Sequence, residues 1–231
     1  MARTVLVTGA AGHLGRAVAA AFAAEGAQLV LLDRERARLE AAFDGEAAAR
    51  LLAPCNLLDA AQVQAAVDAA LARFGRIDVL CNIAGGFRMG EAVHQTSDAS
   101  WEFLLDLNAR TVLHTARAVV PAMLATGGGR IVNVGAFSAS KGLAQMGAYT
   151  ASKAVVMRLT EAMAAELRER GINVNCVLPT IIDTPDNRAA MPDADPSRWV
   201  APADLARVIC VLASDAARAV HGAALPVTGL S

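Results

Sequence analysis

Hydrophobic positions along the chain fall into two alternating rhythms. Short runs are apolar at nearly every residue: Thr4–Thr8, Gln28–Leu32, Leu51–Cys55, Ile77–Cys81, Arg130–Val134, Ile172–Leu178 and Ala223–Val227. Such runs belong to strands covered on both faces, as in parallel sheets. Between them lie longer stretches that are apolar at helical spacing: Leu14–Ala24, Arg34–Phe43, Asp59–Phe74, Ser97–Ala125, Ala148–Arg170 and Ala203–Ala213. Gly26 and Gly127–Gly129 supply stops, Ser97-Asp98 an N-cap, and Pro202 a start. Strand alternating with helix predicts an α/β fold: a doubly wound, seven-stranded, mostly parallel sheet with helices on both faces and right-handed crossovers. No linker or repeat interrupts residues 1–231, so a single domain is expected. The stretch of about 180–202, rich in Pro and Asp, breaks the alternation and reads as a substrate loop.

Composition removes several classes of function. The net charge is −1, from 21 basic and 22 acidic side chains with no long block of one sign, which argues against a nucleic acid or an anionic membrane surface as partner. Aromatic residues are only 4%, too few for a stacking platform for single strands. No apolar run reaches the roughly 18 uncharged residues of a spanning helix. Because Arg3–Thr8 already reads as a strand, no signal peptide is expected. Cys55, Cys81, Cys176 and Cys210 lack a C-x-x-C spacing and sit on or beside apolar runs, which reads as reduced core thiols in a cytoplasmic protein. His94, His114 and His221 are far apart, with no carboxylate in a ligand pattern, so no metal is expected.

The first strand runs directly into Gly9-Ala-Ala-Gly12-His13-Leu14-Gly15 and then a helix. In that context the glycines let backbone N–H groups approach a pyrophosphate, with the helix N-terminus adding its positive end. The sheet is therefore expected to be Rossmann-like and to bind a dinucleotide. Asp33 closes the second strand, about 20 residues beyond the glycine turn, where a carboxylate accepts hydrogen bonds from ribose hydroxyls and repels a 2′-phosphate. That favours NAD(H) over NADP(H), although Arg34 and Arg36 just beyond could admit NADP(H) as well. Asp33 could instead simply cap the helix that follows. Ligands on such sheets bind beyond the carboxyl ends of the strands, where Gly9–Gly15, Asp33, Asn82 and the Val134–Phe137 region converge.

Tyr149 and Lys153 stand four residues apart on a long helical pattern, hence on one face. An ammonium beside a phenol favours the phenolate, so the tyrosine pKa is expected to fall from about 10 towards the operating pH. A tyrosine so tuned can give a proton to a carbonyl oxygen or take one from an alcohol. Tyr149 is the only tyrosine in the chain.

Taken together, Thr8–Gly15, Asp33, Asn82-Ile-Ala84-Gly85, Asn108, the Tyr149/Lys153 pair and Pro179-Thr-Ile181-Ile-Asp-Thr184 appear in the order found in short-chain dehydrogenases/reductases, and from about Arg3 to Gly229 the chain resembles that family. The resemblance implies a nicotinamide cofactor and hydride transfer between its C4 and a carbonyl or alcohol carbon of a small molecule. It makes Tyr149 the acid/base and gives Lys153 the nicotinamide ribose. Asn108, otherwise a polar residue in an amphipathic helix, would bend that helix and hold a water in a proton relay. Pro179, Ile181 and Thr184 would flank the nicotinamide, and Asn56-Leu57 would lie at the adenine. Homodimers or homotetramers, usual in the family, fit the apolar residues on more than one face of the helices at Trp101–Ala125 and Ala148–Arg170.

The departures are informative. The family's serine, thirteen residues before the tyrosine, is Ala136 here; Ser138 could replace it if the loop turns it inward. Loss of such a donor costs on the order of 10²–10³ in rate where it matters. His13 stands in place of a glycine, and Asn56 in place of an aspartate. Thr184–Trp199 looks like the substrate loop of dihydropteridine reductases, relatives that also lack the serine, use NADH and reduce a quinonoid ring whose delocalised charge needs less help from a donor. Three readings follow: a general NAD(P)-dependent reductase or dehydrogenase, a pterin-type reductase, and a nucleotide-binding sensor or scaffold that has lost catalysis, which Ala136 alone favours.

Overall fold

The computed structural model describes residues 2–231. Seven strands, β1 (Thr4–Thr8), β2 (Gln28–Asp33), β3 (Arg50–Pro54), β4 (Val79–Asn82), β5 (Gly129–Val134), β6 (Ile172–Pro179) and β7 (Ala224–Val227), form one sheet in the order β3-β2-β1-β4-β5-β6-β7. Every pairing is parallel, including the edge strand β7. The order reverses between β1 and β4, which opens a crevice beyond their carboxyl ends.

Side chains along each strand alternate between two cores, as a period of two requires. Val5, Val7, Leu29 and Leu31 face one side, packed with Val18 and Phe22 of α1 (His13–Ala24), Leu39 of α2 (Arg36–Phe43) and Leu205 and Ile209 of α8 (Pro202–Leu212). Leu6, Val30, Leu32 and Leu80 face the other, against Val63 and Val67 of α3 (Ala60–Phe74), Val119 and Met123 of α5 (Thr111–Ala125) and Ala164 and Leu167 of α6 (Gly147–Leu167). The inner strands β1, β2, β4, β5 and β6 are thus covered twice, the reason their sequences are largely apolar, whereas the edge strands β3 and β7 are partly exposed. Asp59 caps α3 by accepting from Ala61 and Gln62 N–H, and Ser97 caps α4 (Asp98–Leu105) by accepting from Ser100 N–H. Among the described residues no helix is long and apolar enough to cross a membrane.

Two local expectations are corrected and one is refined. The helix expected over Ser97–Ala125 runs through Asp98–Ala125 and carries a π turn at Asp106–Arg110, around the Asn108 that the resemblance made its point of bending, with Thr111 Oγ1 donating to the Leu107 carbonyl at 2.8 Å. The extra residue swings Asn108 into the interior, a use to which π turns are often put. The helix expected from Arg34 begins at Arg36 with Glu35 before it, so Asp33 is not its cap. The segment expected as a loop over 180–202 carries α7 (Pro185–Ala190), a 3₁₀ turn at Pro196–Arg198 and a bridge between Ile182 and Val200. Buried Trp199 and the paired hydrogen bonds Asp183 N–H to Val200 O (2.8 Å) and Val200 N–H to Ile181 O (2.9 Å) hold it down.

A buried polar chain crosses the sheet beneath the crevice. Thr115 Oγ1 donates to Asn82 Oδ1 (2.8 Å), Asn82 Nδ2 to Asn133 Oδ1 (2.8 Å), Asn133 Nδ2 to Thr160 Oγ1 (2.9 Å) and Thr160 Oγ1 to the Val156 carbonyl (2.8 Å). It ties α5, β4, β5 and α6 into one unit, with each amide oxygen served by a single donor. Thr115→Val, nearly isosteric, leaves Asn82 Oδ1 without its donor and should cost about 1–3 kcal/mol. In urea unfolding the midpoint should drop with an unchanged slope; an unmoved midpoint would show that the chain does not hold these elements.

Candidate active site

The turn after β1 is dictated by contacts that exclude side chains. Gly9 has φ +61°, and a Cβ there would lie 2.9 Å from Ala84 Cα; at Gly15 one would lie 2.2 Å from the Gly9 carbonyl oxygen. Gly12 is less constrained, its nearest neighbour for a Cβ being the Gly9 oxygen at 3.3 Å. His13 replaces a glycine without strain because it is already the first residue of α1, its ring Nδ1 3.1 Å from Arg16 Nη2. No side chain caps α1, so the N–H groups of its first turn, through Leu14, are left for an anion. Thr8 Oγ1 accepts from the N–H groups of Ile83 (3.0 Å) and Ala84 (3.1 Å), which draws the ends of β1 and β4 together. Asp33 is buried at the end of β2: one oxygen accepts from Ala11 N–H in the glycine turn (3.1 Å) and the other from Arg34 N–H (2.8 Å). Arg38, not Arg34 or Arg36, is its ionic partner at 3.5 Å; Arg36 pairs with Glu40 and Glu46.

Asn108 is buried, reaching across from the π turn to the segment after β4. Its Oδ1 accepts from Gly86 N–H (2.9 Å), and its Nδ2 donates to the Gly86 carbonyl (3.1 Å) and to Ser152 Oγ (3.0 Å). Ser152 in turn donates to the Tyr149 carbonyl at 2.8 Å, linking Asn108 to the tyrosine helix. Lys153, 5% exposed, donates from Nζ to the Val134 carbonyl at 2.9 Å. A Cβ at Gly85 would sit 2.9 Å from Asn108 Oδ1 and 3.0 Å from Lys153 Nζ, so the two polar groups can approach this segment only because it lacks a side chain there. Tyr149 packs against Ala136 and Ala139, and the Phe87 ring meets it edge-on with centroids 4.8 Å apart.

The electrostatics correct the expectation for Tyr149. Burial pushes the phenol up to about 12 instead of letting the ammonium draw it down. Burial likewise brings Lys153 down to about 8, opposed by the nearby Cys176 thiol, which burial itself pushes up to about 11. Both members of the pair lose solvation of their charged forms, which is what moves each away from its ordinary value.

The other anticipated residues are distributed around this centre. The Asn56 side-chain oxygen is engaged by Leu58 N–H (3.1 Å), and Leu57, buried, gives its carbonyl to His114 Nδ1 (2.9 Å). Asn82 is tied at both ends of its amide, which leaves only its backbone for a ligand. Pro179 ends β6, Ile181 joins the bridge to Val200, and Thr184 caps α7 by accepting from Asn187 N–H. Ser138, half-buried on the 3₁₀ turn Phe137–Ser140, makes no side-chain hydrogen bond among the described residues. Sequence reasoning placed Thr8 in the glycine motif without its clamp on Ile83 and Ala84, and missed Thr115, Ser152 and Arg38. Only Arg38 carried a signal, as a base one helical turn beyond Arg34; the hydroxyls act through partners remote in the chain.

Comparison with known proteins agrees with this geometry. The short chain dehydrogenase family matches residues 3–195. The D-threitol dehydrogenase of Mycolicibacterium smegmatis is 37% identical over 239 residues, covering 98% of this chain and 92% of that protein. Carveol dehydrogenase from Mycobacterium avium in complex with NAD superposes with a TM-score of 0.89 at 29% identity, covering 98% and 96% of the two chains. The 3-ketoacyl-(acyl-carrier-protein) reductase from Brucella melitensis complexed with NADH gives 0.88 at 29%, covering 98% and 97%. A glycine turn closed against β4, a buried carboxylate on β2 and a lysine–tyrosine helix beside them are joined by full-length similarity, and the chain belongs to the short-chain dehydrogenase/reductase family, an oxidoreductase that uses NAD(P).

Proposed function

We propose that this chain uses NAD(H) in preference to NADP(H) to interconvert a small carbonyl compound and its alcohol, with Tyr149 as acid/base. The observation that carries this reading is the buried Lys153 ammonium one helical turn from Tyr149, its Nζ held by the Val134 carbonyl and approached by the side-chain-free Gly85. The fit to a dinucleotide rests on the same kind of cradle at Gly9 and Gly15 and on the uncapped α1. Gly9, Gly12, His13, Leu14 and Gly15 hold the pyrophosphate, and Asp33 takes the ribose hydroxyls. Asn56 and Leu57 border the adenine, the Asn82–Gly85 backbone borders the nicotinamide ribose, and Pro179, Ile181 and Thr184 flank the ring. Preference for NAD(H) follows from Asp33, whose charge opposes a 2′-phosphate while Arg38 is already paired with it. When bound, the cofactor supplies or accepts the hydride.

In reduction Tyr149 donates its proton to the carbonyl oxygen. With burial holding its pKa near 12, the phenol is in the donating form throughout the neutral range. Lys153 holds ribose and replenishes the proton, and Asn108, fixed to Gly86 and Ser152, positions a relay behind it. Ser138 is the hydroxyl available to steady the reacting oxygen where Ala136 offers none. A second reading, reduction of a conjugated ring of pterin type, is favoured by the half-exposed Phe87 ring against Tyr149 and by the apolar wall at Ala136. The cytoplasm suits its buried free thiols. Trp101, Phe103, Leu113 and Val155, exposed on α4, α5 and α6, support association of copies into a dimer or tetramer.

Tyr149→Phe should lower turnover by about 10²–10⁴-fold with NADH affinity retained, measured on small ketones and quinonoid dihydropterin side by side. The wild type should run faster with NADH than with NADPH. Turnover of the pterin alone would select the second reading; full activity of Tyr149→Phe would remove the tyrosine from its role. Alcohol oxidation, which needs the phenolate, should climb with pH across 7 to 10 while reduction does not, and an oxidation plateau below pH 8 would mean that Lys153 does set the tyrosine.

Stability gives an independent check on Lys153. Its folded-state value, about 8, lies below the ordinary 10.5, so between these the unfolded chain binds a proton that the folded one lacks, and stability rises with pH. Between pH 8 and 9.5 the wild type should gain about 2 kcal/mol over Lys153→Met in urea unfolding; a constant difference would refute the lowered value. Light scattering at micromolar concentration should give a mass of at least two chains, and a monomeric mass would refute the assembly.

A further inference from the structure

Beside Tyr149 lies a small cavity of about 100 Å³ whose walls include Arg88, Glu91, Ser100 and Gln145. Its wall includes Tyr149 itself, so a group seated in it belongs to a molecule whose reacting carbon is at Tyr149, and what it accepts depends on the charges that line it.

Arg88 is held in an unusual way for an exposed arginine. Its guanidinium carbon lies 3.9 Å from the centre of the Phe103 ring, and it joins no ion pair among the described residues. The ring holds the guanidinium from one side, and its N–H groups, with no acceptor among the described residues, are those that receive a carboxylate through two parallel hydrogen bonds. Its neighbour Phe87 packs on Tyr149 itself, so one short segment both touches the acid/base and carries the guanidinium. That segment is anchored at Gly90, whose N–H donates to the Gln145 carbonyl at 2.8 Å. Gln145 adopts φ +60°, a left-handed conformation costly for a residue with a side chain.

Glu91 decides between kinds of anion. Its Oε1 already accepts from the hydroxyls of Ser97 and Ser100, each at 3.2 Å. The acceptor in the cavity is thus supplied with donors while the guanidinium lacks an acceptor, so the missing partner is negative. A second negative charge on the ligand would meet Glu91, which disfavours phosphate and other dianions.

We infer that this cavity is a carboxylate subsite and that Arg88 selects hydroxy- or oxo-monocarboxylates, with the carboxylate a few bonds from the reacting carbon. The inference rests on the proposed role of Tyr149 for where the reacting carbon lies, but its test does not need turnover. Calorimetric titration would use two unreactive probes of the same shape, cyclohexanecarboxylate and neutral cyclohexanecarboxamide, on the wild type, Arg88→Gln and Arg88→Lys. The wild type should favour the carboxylate by about ten-fold or more, Arg88→Gln should abolish the preference, and Arg88→Lys should retain part of it. With 4-oxocyclohexanecarboxylate and its methyl ester as substrates, Arg88→Gln should raise KM for the acid by about ten-fold more than for the ester. Equal binding of the two probes by the wild type, or a preference that survives in Arg88→Gln, would overturn the inference. Because neither probe reacts, full turnover by Tyr149→Phe would remove the catalytic reading and leave the carboxylate preference set by Arg88 standing.

Discussion

A lysine ammonium removed from water constrains this structure more than any other single group. Lys153 is almost fully buried, with the Val134 carbonyl as its one protein acceptor. An ion placed so deep costs several kcal/mol unless its surroundings are arranged to receive it. Helix α6 must deliver the side chain to the carboxyl end of β5, β5 must present a carbonyl there, and the segment after β4 must pass by without a side chain at Gly85. The Asn82–Asn133 amide pair holds β4 and β5 at the spacing that makes all three compatible. The lowered pKa of Lys153 records what remains of the cost, and the raised pKa of Tyr149 shows that the same dry environment acts on its partner.

The rest of the crevice is built from backbone approach and hydroxyl clamps. Gly9 lets β1 end against Ala84, and Thr8 holds that contact with two hydrogen bonds from the N–H groups of Ile83 and Ala84. Asp33 braces the glycine turn through Ala11 from the end of β2, so one side chain both shapes that turn and lies beside it. The π turn likewise acts in two ways, interrupting the α-helical pattern between Leu105 and Thr111 and carrying Asn108 to Gly86 and Ser152. Opposite these fixed parts, the segment Phe87–Glu91 is joined to the tyrosine helix through Gly90 and Gln145. Its exposed Phe87 and Arg88 give the substrate side a character that the cofactor side does not share.

Much of this was legible in the sequence, and for identifiable reasons. A strand buried on both faces must be apolar at each position, so Val5-Leu6-Val7 and Leu29–Leu32 announced themselves. Gly9 and Gly15 stood out because nothing else fits, and Tyr149 and Lys153 because four residues of helix bring them to one face. Departures from the family pattern were readable too, Ala136 and His13 among them. A bend at Asn108 came only with the family resemblance, and spacing did not show that it is a π turn, since the contacts of Asn108 with Gly86 and Ser152 are remote in the chain. The 180–202 segment looked unstructured because Pro and Asp dominate it; its order comes from Trp199 burial and from Val200 pairing with Ile181 and Asp183.

The sequence by itself determined the alternation of strands and helices, the places where only glycine fits, and which residue types could share a face. These depend on backbone conformation and on neighbours within a turn or two of chain. Only the tertiary structure decided how dry each group is and what it touches across the fold. That is why spacing alone foretold a tyrosine pKa drawn down by lysine, whereas packing against Phe87 and Ala136 sends it up. It is also why Arg88, one more surface base in the sequence, becomes part of the wall of the cavity beside Tyr149 once Phe103 is folded beneath its guanidinium.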